Sequence, residues 1–315
     1  MLILGIDVGG TNVRGAVADE TGEVISFTEA KTPVQAVEPL LEVVVAIAND
    51  LQSETGDSIR AAAIGFPGLV DFTSGVVRYS PNLPAFKNVQ FSKMVSQRLD
   101  IDVYLANDAN LAAMGERWLG VGRDITNFAF ITLGTGVGSG LIINGRPFWG
   151  GSGYSAELGH LKVEPDGALC PCGDRGCLEA YCSASGLCAR AVEAKRRGEK
   201  SIMWETGAEC DSLDGQAVDD AASKGDALAC RLLTEAGKYL GQALAALRDL
   251  VGIEAAIIGG RMANMKFDIL EMAQDEANQR AITARVSRIT VLRSSLGDKA
   301  GCLGAIRYAL DRHNG

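Results

Sequence analysis

His160, Cys170, Cys172 and Cys177 are the residues whose types and spacing speak most directly of chemistry. One imidazole and three thiols are ligands of the kind that hold tetrahedral zinc. Pro171 and Gly173 supply the tight backbone that such a knuckle needs. With all four positions filled by protein, the site would be structural and not catalytic. Buried free thiols are the alternative for these cysteines. Cys182, Cys188, Cys210, Cys230 and Cys302 are scattered and read as ordinary core thiols. With no export signal visible, a disulfide framework is not expected. Glu157 and Glu179 flank the knuckle, and a zinc-fixed His160 would give both a frame from which to bind sugar hydroxyls; two exposed acids is the plainer reading.

Two glycine-rich turns follow apolar runs that read as strands. Asp7-Val8-Gly9-Gly10-Thr11 is the first. Glycines at a strand end let backbone N–H groups approach a phosphate, Thr11 adds a hydroxyl, and Asp7 could hold a hydrated Mg²⁺. Gly134-Thr135-Gly136-Val137-Gly138-Ser139-Gly140 is the second. It is not a dinucleotide fingerprint, because Ser139 stands where the third glycine belongs and a strand follows. It is not a Walker loop either, since no Gly-Lys-Ser/Thr occurs. Two such turns suit a nucleotide clamped between lobes; Gly-rich hairpins are the alternative. Asn107-Asp108 closes the apolar run Val103–Ala106. A carboxylate at a strand's carboxyl end can take the proton of an attacking hydroxyl. The same Asp could equally cap the helix that follows.

The elements that must position these groups repeat. Leu2–Asp7, Val13–Ala18 and Glu23–Phe27 read as a three-stranded meander. Val34 to about Ser53 has a 3.6-residue apolar period and is predicted helical. Ala61–Phe66 and Val103–Ala106 are predicted strands, and Leu111–Trp118 a helix. The pattern then restarts with strands at Phe128–Leu133 and Leu141–Ile143 and a hairpin signal at Asn144-Gly145. Gly150–Glu179 is irregular, and Gln216–Leu250 is mainly helical. Ala255–Ile258, ending in Gly259-Gly260, and Ile289–Leu292 are further strands; Leu296–Leu310 is a turn and a helix. This repeat of architecture predicts two similar α/β lobes, and 315 residues suit about two domains.

Hydrophobic residues make up 47% of the chain, enough for a sizeable core. The net charge of −9 argues against nucleic acid or an anionic membrane as the main partner. Apolar runs such as Val43–Ala48 fall far short of the roughly 20 residues that span a bilayer. A cytoplasmic protein is expected.

Together these motifs resemble the ROK family of repressors and sugar kinases. The likeness runs through Asp7–Thr11, Pro81-Asn82-Leu83-Pro84, Asn107-Asp108-Ala109-Asn110, Leu133-Gly134-Thr135-Gly136, Glu157-Leu158-Gly159-His160, Cys170–Glu179, Ile258-Gly259-Gly260 and Leu296–Gly301. It implies an actin-like, hexokinase-type (ribonuclease H-like) α/β fold with an interlobe cleft. A small lobe of residues 1–115, joined by the C-terminal helix at about 300–313, would face a large lobe of 116–299 holding the knuckle 160–177. Asp108 would be the general base. Asn82, Asn107, Asp108, Glu157, His160 and Glu179 would hold the sugar. Asp7, Gly9, Gly10, Thr11, Gly134, Thr135, Gly136, Gly259 and Gly260 would hold Mg-ATP. The activity implied is ATP-dependent phosphorylation of a hexose, glucose first, in a dimer or tetramer. Fructose, allose, mannose or an N-acetylhexosamine are the other substrates, and a sugar-sensing regulator the other class. The family's repressors carry a helix-turn-helix ahead of the first strand; with that strand at Leu2, none is expected here. Departures from the family pattern are Asn12 where Lys is frequent, Ser155-Ala156 where Ala-Gly is commoner, and Arg261 where Gly is frequent.

Overall fold

The computed structural model describes residues 1–204 and 213–313, so Cys210 lies outside the described residues. Packing groups Met1–Thr126, Gly140–Ala156 and Ser294–Gly315 into one compact unit, and Asn127–Ser139 with Glu157–Arg293 into another.

The first unit opens with the meander: β1 (Leu2–Val8), β2 (Asn12–Ala18) and β3 (Val24–Lys31), paired antiparallel in that order. α1 (Val37–Thr55) begins three residues later than the apolar period starts, because Ala36 stays extended. Its stripe of Leu40, Leu41, Val44, Ile47, Ala48 and Leu51 is buried, and it stops at Gly56 in the left-handed conformation usual for a helix end. β4 (Ile59–Phe66) runs parallel to β1. β5 (Leu69–Asp71), β6 (Val76–Tyr79) and β7 (Lys87–Val89) make a small antiparallel sheet whose strands are too short to show a period in the sequence. α2 (Phe91–Leu99), β8 (Asp102–Asn107) and α3 (Asp108–Trp118) complete the run. The main sheet has the order β3-β2-β1-β4-β8, mixed in direction. β1, β4 and β8 are parallel, so their carboxyl ends coincide: Asp7 lies opposite Gly65, and Phe66 opposite Asn107. Phe66, Phe86 and Phe91 pack against one another beneath that edge and are fully buried.

The second sheet begins with β9 (Phe128–Leu133), β10 (Val137–Ile143) and β11 (Arg146–Pro147). The glycine turn expected over 134–140 is therefore shorter: Gly138 and Gly140 lie inside β10. Their turn propensity yields to strand pairing, which depends more on context than on residue type. α4 (Glu179–Cys182), α5 (Ala184–Arg196), α6 (Gly215–Ser223) and α7 (Ala227–Val251) follow. The helical stretch expected over Gln216–Leu250 is thus two helices; Gly225 turns the chain and the Asp226 carboxylate caps α7 by accepting from the Ala229 N–H. β12 (Ala255–Gly259), α8 (Ile269–Arg280), β13 (Thr290–Arg293) and α9 (Ala300–His313) end the chain. The sheet order is β11-β10-β9-β12-β13, with β9, β12 and β13 parallel. Two α/β lobes, each with a mixed five-stranded sheet, are the architecture that the repeated pattern predicts. No described helix is long and apolar enough to cross a membrane.

Candidate functional site

In the first unit, the chemistry gathers at the carboxyl edge of β1, β4 and β8. Asn107, not Asp108, caps α3: its Oδ1 accepts the Asn110 N–H at 3.1 Å, and its Nδ2 donates to the Gly68 carbonyl at 3.2 Å. Asp108 is thereby released from capping, and its Oδ1 accepts from the neighbouring Ala109 N–H at 2.8 Å. Burial pushes its carboxyl up to about 6, against the pull of that bond. Asp7 is pushed up to about 7, by burial first and then by the charge of Asp108, with Arg14 acting the other way. The two acids flank Gly65, where a Cβ would sit 3.3 Å from Asp108 Cα and 3.5 Å from Asp7 Oδ1. Gly301 in the first turn of α9 covers Asp7 so closely that a Cβ there would lie 2.6 Å from its Cγ. The Gly9–Thr11 turn is braced: Gly9 N–H donates to the Asn12 carbonyl at 2.9 Å and Thr32 Oγ1 to the Gly9 carbonyl at 2.7 Å. Gly10 and Thr11 are exposed, as is Asn82 in the turn after β6.

In the second unit, the Gly134–Gly136 turn and Gly259-Gly260 meet. β9 and β12 run parallel with Thr132 opposite Gly259, and a Cβ on Gly260 would lie 2.3 Å from the Leu133 carbonyl oxygen. Leu158–His160 forms a short 3₁₀ turn whose Leu158 N–H donates to Ser139 Oγ at 3.2 Å. This places His160 at the mouth of the knuckle. There Cys170 N–H donates to the Asp174 carbonyl at 2.8 Å and Val163 N–H to the Gly176 carbonyl at 2.8 Å. Gly176, at φ 73°, approaches Glu164 so closely that no side chain would fit.

The four ligand atoms of His160, Cys170, Cys172 and Cys177 lie within 4.8 Å of one another. Cys172 and Cys177 Sγ are 3.8 Å apart, and Cys170 Sγ is 3.9 Å from His160 Nδ1. Ligands at about 2.3 Å from a tetrahedral zinc sit roughly 3.8 Å apart, so the donors fit that ion in both chemistry and spacing. Lys162 Nζ lies 3.1 Å from Cys177 Sγ and 2.7 Å from Asp174 Oδ2. Those bonds, Asp174's first, hold its ammonium above the ordinary lysine range.

Some residues that shape the site carried no readable signal. Arg14 bridges Glu29 and Asp298 at 3.4 and 3.2 Å, which fixes a cation near Asp7. Glu116 is fully buried on α3 and accepts from Ser294 Oγ and from the Leu296 and Val121 N–H groups, tying down the segment that leads into α9. Ala156 departs from the family pattern with consequence: it holds φ 67°, a left-handed conformation that costs a residue with a Cβ about 1 kcal/mol. Ala156→Gly should therefore raise stability by up to about 1 kcal/mol, less what glycine gains in unfolded-chain entropy; an unchanged denaturation midpoint would show the conformation to be unstrained.

Residues 3–312 match the model of the ROK family. The chain belongs to the ROK family. A glucokinase of Thermotoga maritima is 32% identical over 314 residues, 99% of this chain and 98% of that one. The crystal structure of a ROK family glucokinase from Streptomyces griseus, in complex with glucose and AMPPNP, shares 32% identity and a TM-score of 0.82, covering 99% of this chain and all of that one. A xylose repressor of Caldicellulosiruptor bescii is 29% identical over 98% of this chain and 78% of its own. The two-lobed architecture of this ROK protein matches that of the family's kinases, and its His160/Cys170/Cys172/Cys177 cluster fits the family's zinc motif.

Proposed function

We propose that this ROK protein is an ATP-dependent sugar kinase that transfers the γ-phosphoryl group to a hexose hydroxyl, the 6-hydroxyl of glucose first among them. The observation that carries the reading is Asp108: a partly buried carboxylate relieved of helix capping by Asn107, with a proton affinity raised to about 6. In the reaction, Asp108 accepts the proton of the hydroxyl as that oxygen bonds to the γ-phosphorus and the bond from phosphorus to the β–γ bridging oxygen breaks, leaving ADP. Asn82, Asn107, Glu157, His160 and Glu179 hold the sugar. The Gly9–Thr11 and Gly134–Gly136 turns and Gly259-Gly260 hold the nucleotide. Mg²⁺ bound with ATP supplies neutralisation of phosphate charge, and Asp7 is the carboxylate suited to it, since a cation would offset the repulsion from Asp108. His160, Cys170, Cys172 and Cys177 would hold zinc as a structural ion, His160 offering it Nδ1, the nitrogen beside Cys170 Sγ, and leaving Nε2 for the sugar.

The test is phosphorylation of a panel of glucose, fructose, mannose, allose, N-acetylglucosamine and N-acetylmannosamine with Mg-ATP. Glucose is expected to give the highest kcat/KM. Preference for another sugar overturns the substrate, and turnover of none overturns the kinase. The likeness to a xylose repressor favours a second reading, a sugar sensor without catalysis. Calorimetry showing sugar binding without nucleotide binding would select it.

A further inference from the structure

The Gly134–Gly136 turn is suspended from its surroundings by its backbone. The Val137 N–H, directly after the turn, donates to Glu179 Oε2 at 2.8 Å. Gly136 leaves room for that carboxylate, since a Cβ there would lie 2.6 Å from the same oxygen. Ala184 N–H donates to the Gly134 carbonyl at 2.9 Å, and Ser185 Oγ donates to the Thr135 carbonyl. Both partners come from the start of α5, immediately beyond α4, which Glu179 opens. Glu179 is in turn fixed to the knuckle: Leu178 N–H donates to the Leu161 carbonyl at 2.9 Å, and Ala180 N–H to the Cys177 carbonyl at 3.0 Å. A continuous series of bonds therefore runs from the His160–Cys177 knuckle through Glu179 to the turn. One carboxylate oxygen of Glu179 thus receives the backbone amide that follows the turn, and the other lies 3.8 Å from Cys170 Sγ of the knuckle.

We propose that Glu179 is a positioning residue for the nucleotide turn, holding Gly134–Gly136 against the knuckle so that the order of the knuckle sets nucleotide affinity as well as sugar binding. This rests on the nucleotide role proposed for the turn. The bond is charge-assisted, and its loss frees a turn whose N–H groups must otherwise be ordered by the phosphates themselves.

Binding of Mg-AMPPNP is measured calorimetrically on the sugar-free protein. Glu179→Ala should weaken it about tenfold or more, whereas Glu179→Gln, which keeps an oxygen for Val137 N–H, should stay within about threefold. Wild-type affinity in the alanine variant overturns the proposal, because a residue that only touches sugar cannot be felt when sugar is absent. A wild-type protein that binds no nucleotide overturns the reading of the turn instead. Should the alanine variant not fold, hydrogen exchange at the Val137 amide decides: slow exchange in ligand-free wild type and in Glu179→Gln is expected, and fast exchange in wild type overturns the proposal.

Discussion

Asp108→Asn should lower kcat by about 10²–10⁴-fold, the range of a lost general base, with sugar affinity largely kept because the amide retains the shape and an acceptor oxygen. The same substitution should make the ligand-free protein more stable at pH 8. The sign follows from linkage. In the folded protein the carboxyl titrates near 6, against an ordinary value of 3.8, so between those values the native state binds more protons than the unfolded state. Stability contributed by this group is thus greatest below pH 4 and falls as pH rises to about 6. A shift of roughly two pH units corresponds to at most about 3 kcal/mol, and the partial exposure of Asp108 trims this to about 1–2 kcal/mol. The asparagine variant, with no proton to lose, would recover that amount at pH 8 and nothing at pH 4. Wild-type kcat/KM should accordingly fall below pH about 6 as the base is protonated. Near-normal turnover in the variant sinks the assignment of the base; an unchanged melting temperature at pH 8 sinks the account of its burial. A gain in stability on removing an active group is the expected mark of a site that is electrostatically costly to build.

What made Asp108 ambiguous in the sequence shows where reading from residues stops. Asn-Asp before an apolar helix offers two candidate caps, and local chemistry ranks them equally. Only the β8–α3 geometry, which brings the Asn107 amide over Asn110 and Gly68, divides the labour. The long elements were legible because their periods were: β1, β2, β4, β9, β12 and α1 fall close to where alternation and the 3.6-residue stripe put them. The three strands β5 to β7 were not, being too short for a pattern. Nor was the true length of the 134–136 turn, since glycine within a strand looks the same as glycine within a loop. The knuckle was readable because metal ligands are rare residue types at tight spacing. Glu116 was not, because an acid on a helix is normally a solvated one, and its burial is decided by the 294–296 segment, nearly 180 residues away.

Stripping zinc from the knuckle, by chelation or by Cys177→Ser, should cost the protein a few kcal/mol, which for a domain of this size lowers the melting temperature by roughly 6–12 °C. Leu178, Tyr181 and Cys182 anchor the far end of the Leu158–Cys182 segment in the core, but the knuckle itself has little regular structure. The segment contains two isolated bridges, Lys162 with Cys177 and Leu169 with Arg175, and helices of only three and four residues. Gly173 and Gly176 sit at positive φ, and glycine favours the folded turn no more than many unfolded ones. Zinc held by three thiolates and a neutral imidazole would carry one net negative charge, and Lys162, with Nζ 3.1 Å from Cys177 Sγ, would supply the compensating cation. Lys162→Met should therefore speed zinc release to a chromogenic chelator by about tenfold, as loss of an outer partner of a metal ligand commonly does. Metal analysis should find one zinc per wild-type chain. A chain that holds none, or that melts unchanged after chelation, would show the four side chains to be three free thiols and a histidine with no metal to bind. If zinc is present, its removal should abolish sugar binding through His160 and Glu157 and weaken nucleotide binding through Glu179, while Asp7 and Asp108, held by a separate sheet, keep their raised proton affinities.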